Sequence, residues 1–323
     1  MASVSYLEAI RDAMSEEMRR DARVFLMGED VVHNVYGSSG GLAAEFGGAR
    51  VMDTPLSEAG FVGAAAGAAM VGMRPIVDIT IAPFLYPAMD QIVSIIAKSR
   101  YLYGGQTKVP VVLRVCMLYN VNNAAQHSDR PYPAFMGIPG LKIIAPSNPY
   151  DMKGLLKAAI RDDDPVLCFE DGNLWMTRGD VPDHDLVVPL GKADVKRRGS
   201  DVTVLAIAGS VPQALAAAEQ VAKEGISVEV IDPRTIKPLD TAMVLESVHK
   251  TGRFIAVDPA HKSCSIASEI AATVAEEGFW DLKAPVRRVT TPDIHIPFAS
   301  SMERGLYPTS QRIVEAVHQS MKA

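Results

Sequence analysis

The chain has 323 residues, 48% of them hydrophobic, and a formal net charge of -6 at pH 7. This length exceeds that of most single domains, so two domains are expected. The acidic balance, without a concentrated basic face, argues against nucleic acid as a partner. No apolar run approaches the ~20 residues that a membrane span needs. Because the first residues resemble neither a signal peptide nor an Arg-rich presequence, the sequence predicts a cytoplasmic protein.

Helices and strands are predicted to alternate along the first half of the chain. Leu7, Ile10 and Met14 recur at helical spacing in an amphipathic helix over 6–20. Further helices are predicted over 63–72, 86–101 and 151–161, and strands over 24–28, 74–81, 109–115, 143–147 and 165–170.

The alternation resumes after a polar stretch rich in proline, glycine and charge. Strands are predicted over 202–208, 227–232 and 253–257, and helices over 211–224, 242–250 and 266–277. Strands that are nearly all apolar indicate parallel sheets covered by helices on both faces. The predicted fold class is therefore α/β, with two doubly wound domains over 1–180 and 201–323 and a linker over 181–200.

The common signatures of enzyme active sites are missing. The stretch Gly37-Ser-Ser-Gly-Gly41 lacks the Lys-Ser/Thr of a phosphate-binding loop. The seven histidines form no HxxxH pair. Without further signals, the residues indicate only an α/β enzyme of unknown activity.

Five phrases occur in a characteristic order. They are Asp53-Thr-Pro-Leu-Ser-Glu-Ala-Gly-Phe61, Ala125-Gln-His-Ser128, Pro139-Gly-Leu-Lys-Ile-Ile-Ala-Pro-Ser147, Ile160-Arg-Asp-Asp-Asp-Pro165 and Asp232-Pro-Arg-Thr-Ile-Lys-Pro-Leu-Asp240. Together they resemble the β subunit of the thiamine-diphosphate-dependent E1 component of 2-oxoacid dehydrogenases of the pyruvate, branched-chain and acetoin types. The resemblance covers nearly the whole chain. It implies a transketolase-like pyrimidine-binding domain followed by a transketolase C-terminal domain.

Glu58 stands where this family places the glutamate that activates the cofactor. In the family, that carboxylate hydrogen-bonds N1′ of the aminopyrimidine and so favours loss of the thiazolium C2 proton. A partly desolvated carboxylate at the start of an apolar helix suits this role. The alternative is that Ser57 caps the helix and Glu58 only complements its positive end.

Two further positions match residues that face the family's cofactor and substrate. Phe84 matches the aromatic ring that stacks on the aminopyrimidine, although ordinary core packing would also explain it. His127 matches a histidine that faces the substrate or the lipoyl group, and an imidazole side chain suits proton donation. An isolated histidine is more often a core or surface group, so this assignment depends on the surrounding phrase.

The resemblance also implies a monovalent-cation loop, with K+ as the ion. Its ligands would be the backbone carbonyls of Ala159 and Ile160 and the carboxylates of Asp162 and Asp164. Both carboxylates could equally be solvated turn residues.

One family motif is absent and several positions depart from the family pattern. The GDG motif that holds diphosphate and Mg²⁺ does not occur, and Asp171-Gly-Asn173 lacks the preceding glycine. An α-type subunit would therefore hold the Mg²⁺, in an α₂β₂ heterotetramer. Around His127, the stretches 116–124 and 129–133 and Pro87 differ from the usual residues, so substrate choice is open.

The predicted function is that of an E1 β subunit. With its α subunit it would decarboxylate a 2-oxo acid oxidatively and pass the acyl group to a lipoyl-bearing E2. The alternative within enzymes is the β-type half of a split transketolase or of an acyloin-forming carboligase. A non-catalytic assembly subunit is disfavoured, because Glu58 and His127 are both present.

Overall fold

A computed structural model describes residues 2–322, which form two compact units. The first unit runs to Leu118 and resumes over Ala134–Leu190, and the second contains Tyr119–Pro133 and the residues from Gly191 onward. The division at Leu190 falls within the stretch 181–200 that the sequence suggests as a linker. The grouping of Tyr119–Pro133 with the second unit is not anticipated by the predicted boundaries.

The elements up to residue 190 alternate between strand and helix. The strands are β1 (Ala2–Ser5), β2 (Val24–Gly28), β3 (Val51–Asp53), β4 (Arg74–Ile81), β5 (Val112–Met117), β6 (Lys142–Ile144), β7 (Val166–Asp171) and β8 (Arg178–Val181). The helices are α1 (Tyr6–Arg20), α2 (Leu42–Phe46), α3 (Glu58–Met70), α4 (Ser99–Leu102), α5 (Ala124–His127), α6 (Tyr132–Met136) and α7 (Pro149–Arg161).

In the first unit, six parallel strands lie in the order β6-β7-β5-β4-β2-β3. Ser5 and Glu8 form a reciprocal capping box that begins α1. The apolar side of α1, with Ile10 and Met14, joins Leu155 of α7 in one buried core. Helix α1 is thus fixed at its start by polar bonds and along its length by apolar burial.

The elements after residue 190 form a second alternating series. The strands are β9 (Asp194–Arg197), β10 (Val202–Ala206), β11 (Val228–Asp232), β12 (Thr235–Lys237), β13 (Phe254–His261) and β14 (Arg287–Thr291). The helices are α8 (Ser210–Ala222), α9 (Thr241–Thr251), α10 (Ile266–Glu277), α11 (Ser300–Glu303) and α12 (Ser310–Met321).

The second unit contains a sheet of order β14-β13-β10-β11-β9, parallel except for the edge strand β9. The predicted α/β class with two domains is confirmed. Within residues 2–322, no helix is both long and apolar enough to cross a membrane.

The continuous helix predicted over 86–101 is wrong. The region instead contains a 3₁₀ turn at Ala82–Leu85, a π-helix at Gln91–Ile96 and the short helix α4. Pro87 cannot donate a backbone hydrogen bond, and Ile92 and Ile96 of the π-helix are buried. The sequence therefore predicts helical structure here but not its division into different helix types.

Candidate active site

Glu58 is the first residue of α3 and is half-buried. The preceding Ser57 makes no side-chain capping hydrogen bond within residues 2–322, although its backbone carbonyl accepts from the amide of Phe61 at 3.0 Å. The alternative in which Ser57 caps the helix therefore loses its main support. The Glu58 carboxylate lies at the positive end of a helix that packs against β4.

Glu29 is a second acidic residue of this region, and no sequence motif marks it. It directly follows β2, is only 5% exposed, and has a pKa raised to about 7. Burial is the largest cause, and the negative charge of Glu58 is the next. Oε1 of Glu29 is buried without a hydrogen-bond partner in the described part of the chain. A carboxyl that titrates close to neutral pH, has an unpaired oxygen and feels the charge of Glu58 is suited to exchanging a proton with a ligand.

The close approach of β2 and β4 positions Glu29. Gly28 has φ +156°, and a Cβ there would overlap the backbone carbonyl of Asp78 on β4. Thr80 has φ +57°, next to an irregularity in the pairing of β4 with β5. Its amide donates to Oδ1 of Asp78 at 2.9 Å, and its side chain hydrogen-bonds Glu29. The bend in β4 therefore brings the Thr80 hydroxyl to Glu29.

A buried arginine anchors Asp78. Arg114 on β5 is 1% exposed and donates to Oδ2 of Asp78 at 3.0 Å and to Oε1 of Glu170 at 2.6 Å. Burial raises the pKa of Glu170 to about 7 even though Arg114 opposes the rise. The network joins β4, β5 and β7, and removal of one partner would leave an uncompensated buried charge.

Phe84 lies in the 3₁₀ turn that follows β4, and its ring is half-buried. Pro83 occupies the first turn of this element, which helps to fix the backbone before Phe84. The following π-helix packs on α3, and Oε1 of Gln91 is buried without a hydrogen-bond partner among residues 2–322. Phe84 and Glu58 thus lie on elements that both pack with β4.

His127 is the last residue of α5 and is half-buried. It belongs to Tyr119–Pro133 and therefore to the second unit. Glu58 and Phe84 both belong to the first unit.

The carbonyls implied as K+ ligands are already hydrogen-bonded. The Ile160 carbonyl accepts from Nε of Arg74 at 2.9 Å, and the Asp162 carbonyl accepts from Nη2 of the same guanidinium. The Ala159 carbonyl accepts from the Asp162 amide at 3.2 Å. Arg74 therefore brings a positive charge to the Ile160 carbonyl, one of the oxygens for which the resemblance implies a metal ion.

The two carboxylates of the same loop are also paired with protein cations. Nζ of Lys142 lies 2.7 Å from Oδ2 of Asp162 and 3.3 Å from Oδ2 of Asp164, and Arg100 forms an ion pair with Asp164. Since these groups satisfy one another, the loop does not fit an additional monovalent cation.

Asp171-Gly-Asn173 forms a local turn at the end of β7. Oδ1 of Asp171 accepts from the amide of Asn173 at 3.0 Å and from its side-chain nitrogen at 3.1 Å. Across residues 2–322, no group of three or more His, Cys, Asp and Glu side chains could hold a metal ion.

Comparison with protein families gives two matches that together span most of the chain. Residues 2–175 match the transketolase pyrimidine binding domain, and residues 191–313 match the transketolase C-terminal domain. Among solved structures, a split gene transketolase, described as an inactive β4 tetramer, has a TM-score of 0.82 at 22% identity and 99% coverage of both chains. That similarity concerns the fold.

The chain is similar over most of its length to three β subunits. The chain is 45% identical to the acetoin:2,6-dichlorophenolindophenol oxidoreductase subunit beta of Bacillus subtilis, over 96% of this chain and 95% of that protein. It is 45% identical to the 2-oxoisovalerate dehydrogenase subunit beta of the same organism, with 99% of each covered. It is 42% identical to the pyruvate dehydrogenase E1 component subunit beta of Rhizobium meliloti, over 98% of this chain and 70% of that protein. The chain belongs to the family of 2-oxoacid dehydrogenase E1 β subunits, which is built from the transketolase pyrimidine-binding and C-terminal domains.

Proposed function

We propose that this chain is the β subunit of an enzyme that decarboxylates a 2-oxo acid and passes the acyl group to a lipoyl group on an E2 protein. Family membership implies thiamine diphosphate as the cofactor and an α subunit as the partner. The observation that carries the proposal is the pair of Glu58 and Glu29 at the carboxyl ends of the parallel strands. There, a buried carboxyl with a pKa of about 7 has an oxygen available for a ligand.

The residues of this region fit the cofactor's aminopyrimidine. When bound, thiamine diphosphate would supply a thiazolium that stabilises negative charge on the carbon that loses carbon dioxide. Glu58 would accept a hydrogen bond from the ring and share a proton with N1′, and Phe84 would stack on the ring. The unpaired oxygen of Glu29 would be satisfied by a donor on the ligand side.

Substitution of Glu58→Gln tests the central assignment. The change keeps the volume of the side chain but removes the carboxylate, so proton–deuterium exchange at C2 in the α/β complex should slow by ~10²–10⁴-fold. Glu276→Gln, at an exposed position of α10, is the matched control and should leave exchange unchanged. An exchange rate in Glu58→Gln within a few-fold of the wild type would contradict the assignment. Glu58 would then only complement the positive end of the helix.

His127 is proposed to serve the lipoyl acceptor. When one sulfur of the dithiolane takes the acyl group, the S–S bond breaks, and the imidazolium would give its proton to the departing sulfur. His127→Ala should therefore depress reductive acylation of a lipoyl domain far more than decarboxylation, measured with 2,6-dichlorophenolindophenol as electron acceptor. Equal loss in both assays would place His127 at an earlier step.

The choice between E1 and carboligase chemistry is tested with the wild-type complex. Pyruvate and 2-oxoisovalerate are the first substrates to try, each offered with a lipoyl domain or with an aldehyde. We expect acylation of the lipoyl domain. Background acylation together with acyloin formation would contradict the proposal and favour the split transketolase or carboligase.

The finer partner assignments are proposals too. We infer an α₂β₂ assembly in which the α subunit holds Mg²⁺ and the diphosphate, since Asp171 and Asn173 bond to each other. The isolated chain should then bind thiamine diphosphate only weakly, and micromolar binding by calorimetry with Mg²⁺ alone would contradict the split site. The cytoplasmic location stays a prediction.

A further inference from the structure

The segment Tyr119–Pro133, which carries His127, is held near both of its ends by buried carboxylates of the second unit. The amides of Asn120 and Asn122 donate to Oε1 and Oε2 of Glu303 at 2.7 and 2.9 Å. At the other end, the hydroxyl of Tyr132 donates to Oδ1 of Asp258. Glu303 is 1% exposed and Asp258 is 0% exposed, so water does not compete for these bonds.

Arg130, near the end of the segment, connects the segment to other residues of the second unit. Its guanidinium carbon lies 5.3 Å from the ring centre of Tyr119 and 5.1 Å from that of Tyr307. Nε donates to the carbonyl of Pro259 at 2.9 Å, and Nη1 donates to the carbonyl of Ser128. Since Ser128 adjoins His127, Arg130 fixes the backbone directly after the histidine.

Tyr307 joins these contacts into one cluster. Its hydroxyl donates to Oε1 of Glu303 at 2.7 Å while its ring packs on Arg130. We call Glu303, Tyr307, Arg130 and Tyr119 the loop clamp. Glu303 holds the backbone before His127 and Arg130 holds the backbone after it, and the ring of Tyr307 connects the two.

Three residues of the backbone that the clamp holds lie in the left-handed region. Asn120 and Asn122 both have φ +62°, and Ala124, the first residue of α5, has φ +57°. Non-glycine residues in the left-handed conformation persist only where the surrounding structure holds them, and such residues are frequently found at functional sites. The backbone amides of both asparagines donate hydrogen bonds to the Glu303 carboxylate.

We propose that Arg130 and Glu303 are positioning residues for His127, so that the C-terminal unit sets the location of the acyl-transfer histidine. This inference rests on the proposed role of His127. Lysine cannot replace Arg130, because an ammonium has no planar fork to reach two carbonyls while it packs on two rings. Glutamine cannot fully replace Glu303, because its NH₂ group cannot accept the amide hydrogen that a carboxylate oxygen accepts.

The test uses the α/β complex with Arg130→Lys, Glu303→Gln and His127→Ala as single variants. A double variant combines Arg130→Lys with His127→Ala. Displacement of a catalytic group by about 1 Å can cost ~10²-fold in rate. Arg130→Lys and Glu303→Gln should lower reductive acylation of a lipoyl domain by ~10–100-fold. Decarboxylation with the dye should be far less affected. The double variant should acylate no more slowly than His127→Ala, because coupled residues do not add.

Ser247→Ala is the matched control for general loosening of the second unit. The Ser247 hydroxyl bonds Thr203 at 2.7 Å and also bonds Glu229, all within this unit and outside the loop clamp. The control should lower thermal stability while leaving the ratio of acylation to decarboxylation unchanged. A ratio that falls equally in Ser247→Ala and Glu303→Gln would overturn the inference.

The outcomes separate this inference from the proposed function. Selective loss in His127→Ala without selective loss in Arg130→Lys and Glu303→Gln overturns the inference alone, and so does full additivity in the double variant. If His127→Ala shows no selective loss, the proposed role of His127 fails instead. Amide hydrogen exchange then tests the clamp by itself. Glu303→Gln must speed exchange at Asn120 or Asn122 at least ~10-fold, the effect of losing one such hydrogen bond, and unchanged exchange refutes the clamp.

Discussion

Replacement of Glu29 by glutamine should stabilise the isolated chain at high pH. The folded state raises the pKa of Glu29 from its ordinary value of 4.5 to about 7, mainly through burial and then through the charge of Glu58. At about 1.4 kcal/mol for each pH unit, ionised Glu29 costs the folded state about 3 kcal/mol relative to the unfolded state. Glutamine has nearly the same volume and removes this cost.

The sign of the pH dependence follows from proton binding. Between pH 4.5 and about 7, the folded chain keeps a proton on Glu29 that the unfolded chain has lost. The contribution of Glu29 to stability therefore falls as pH rises through this window and is constant above it. Glu29→Gln should match the wild type near pH 4.5 and exceed it by up to about 3 kcal/mol at pH 8.

Urea unfolding of the wild type, Glu29→Gln and the exposed control Glu276→Gln, measured from pH 5 to 8, checks this expectation. The stability difference between Glu29→Gln and the wild type should grow with pH, and that of the control should not. Glu58→Gln should move the midpoint of the wild-type decline to lower pH, because it removes one of the charges that raise the Glu29 pKa. A constant difference between Glu29→Gln and the wild type at every pH would refute the reasoning.

Three further predictions concern the loop after α7 and the cysteines. Exchange of K+ for Na+ should leave the thermal midpoint unchanged, because Arg74 already donates to the Ile160 carbonyl. A K+-dependent thermal midpoint in the wild type would contradict this expectation. Arg74→Met should lower the free energy of unfolding by about 2 kcal/mol, measured in urea. Cys264 is exposed, whereas burial raises the pKa of the Cys116 and Cys168 thiols. A maleimide should therefore label one thiol per native chain, and rapid labelling of three would contradict the buried positions.

The sequence predicts Glu58 but not Glu29, and the reason is physical. Glu58 lies within a long phrase whose residues can be recognised one after another. The pKa of Glu29 depends on burial and on the charges of Glu58, Asp30 and Asp78, and Glu58 and Asp78 lie 29 and 49 positions away in the chain. The available signal was its place directly after the buried strand Val24–Gly28, where α/β proteins commonly bind ligands.

The grouping of Tyr119–Pro133 with the second unit is a harder case. Periodicity reports which face of an element is buried, but it does not report what covers that face. The carboxylate that accepts from Asn120 belongs to Glu303, 183 positions later. Arg130, one of the departures from the family pattern, is likewise held by the distant Pro259 carbonyl. The sequence therefore marks the segment as unusual without indicating which unit holds it.

The two carboxylates of the first unit are tied together energetically. The charge on Glu58, which the proposed chemistry needs, is one cause of the raised pKa of Glu29. A change that removes the charge of Glu29 should therefore stabilise the fold while altering the electrostatic field around Glu58. Such opposition between stability and activity is expected where buried ionisable groups serve chemistry. Glu29→Gln should be more stable than the wild type at pH 8, and its C2 exchange rate would measure how much Glu58 depends on its neighbour.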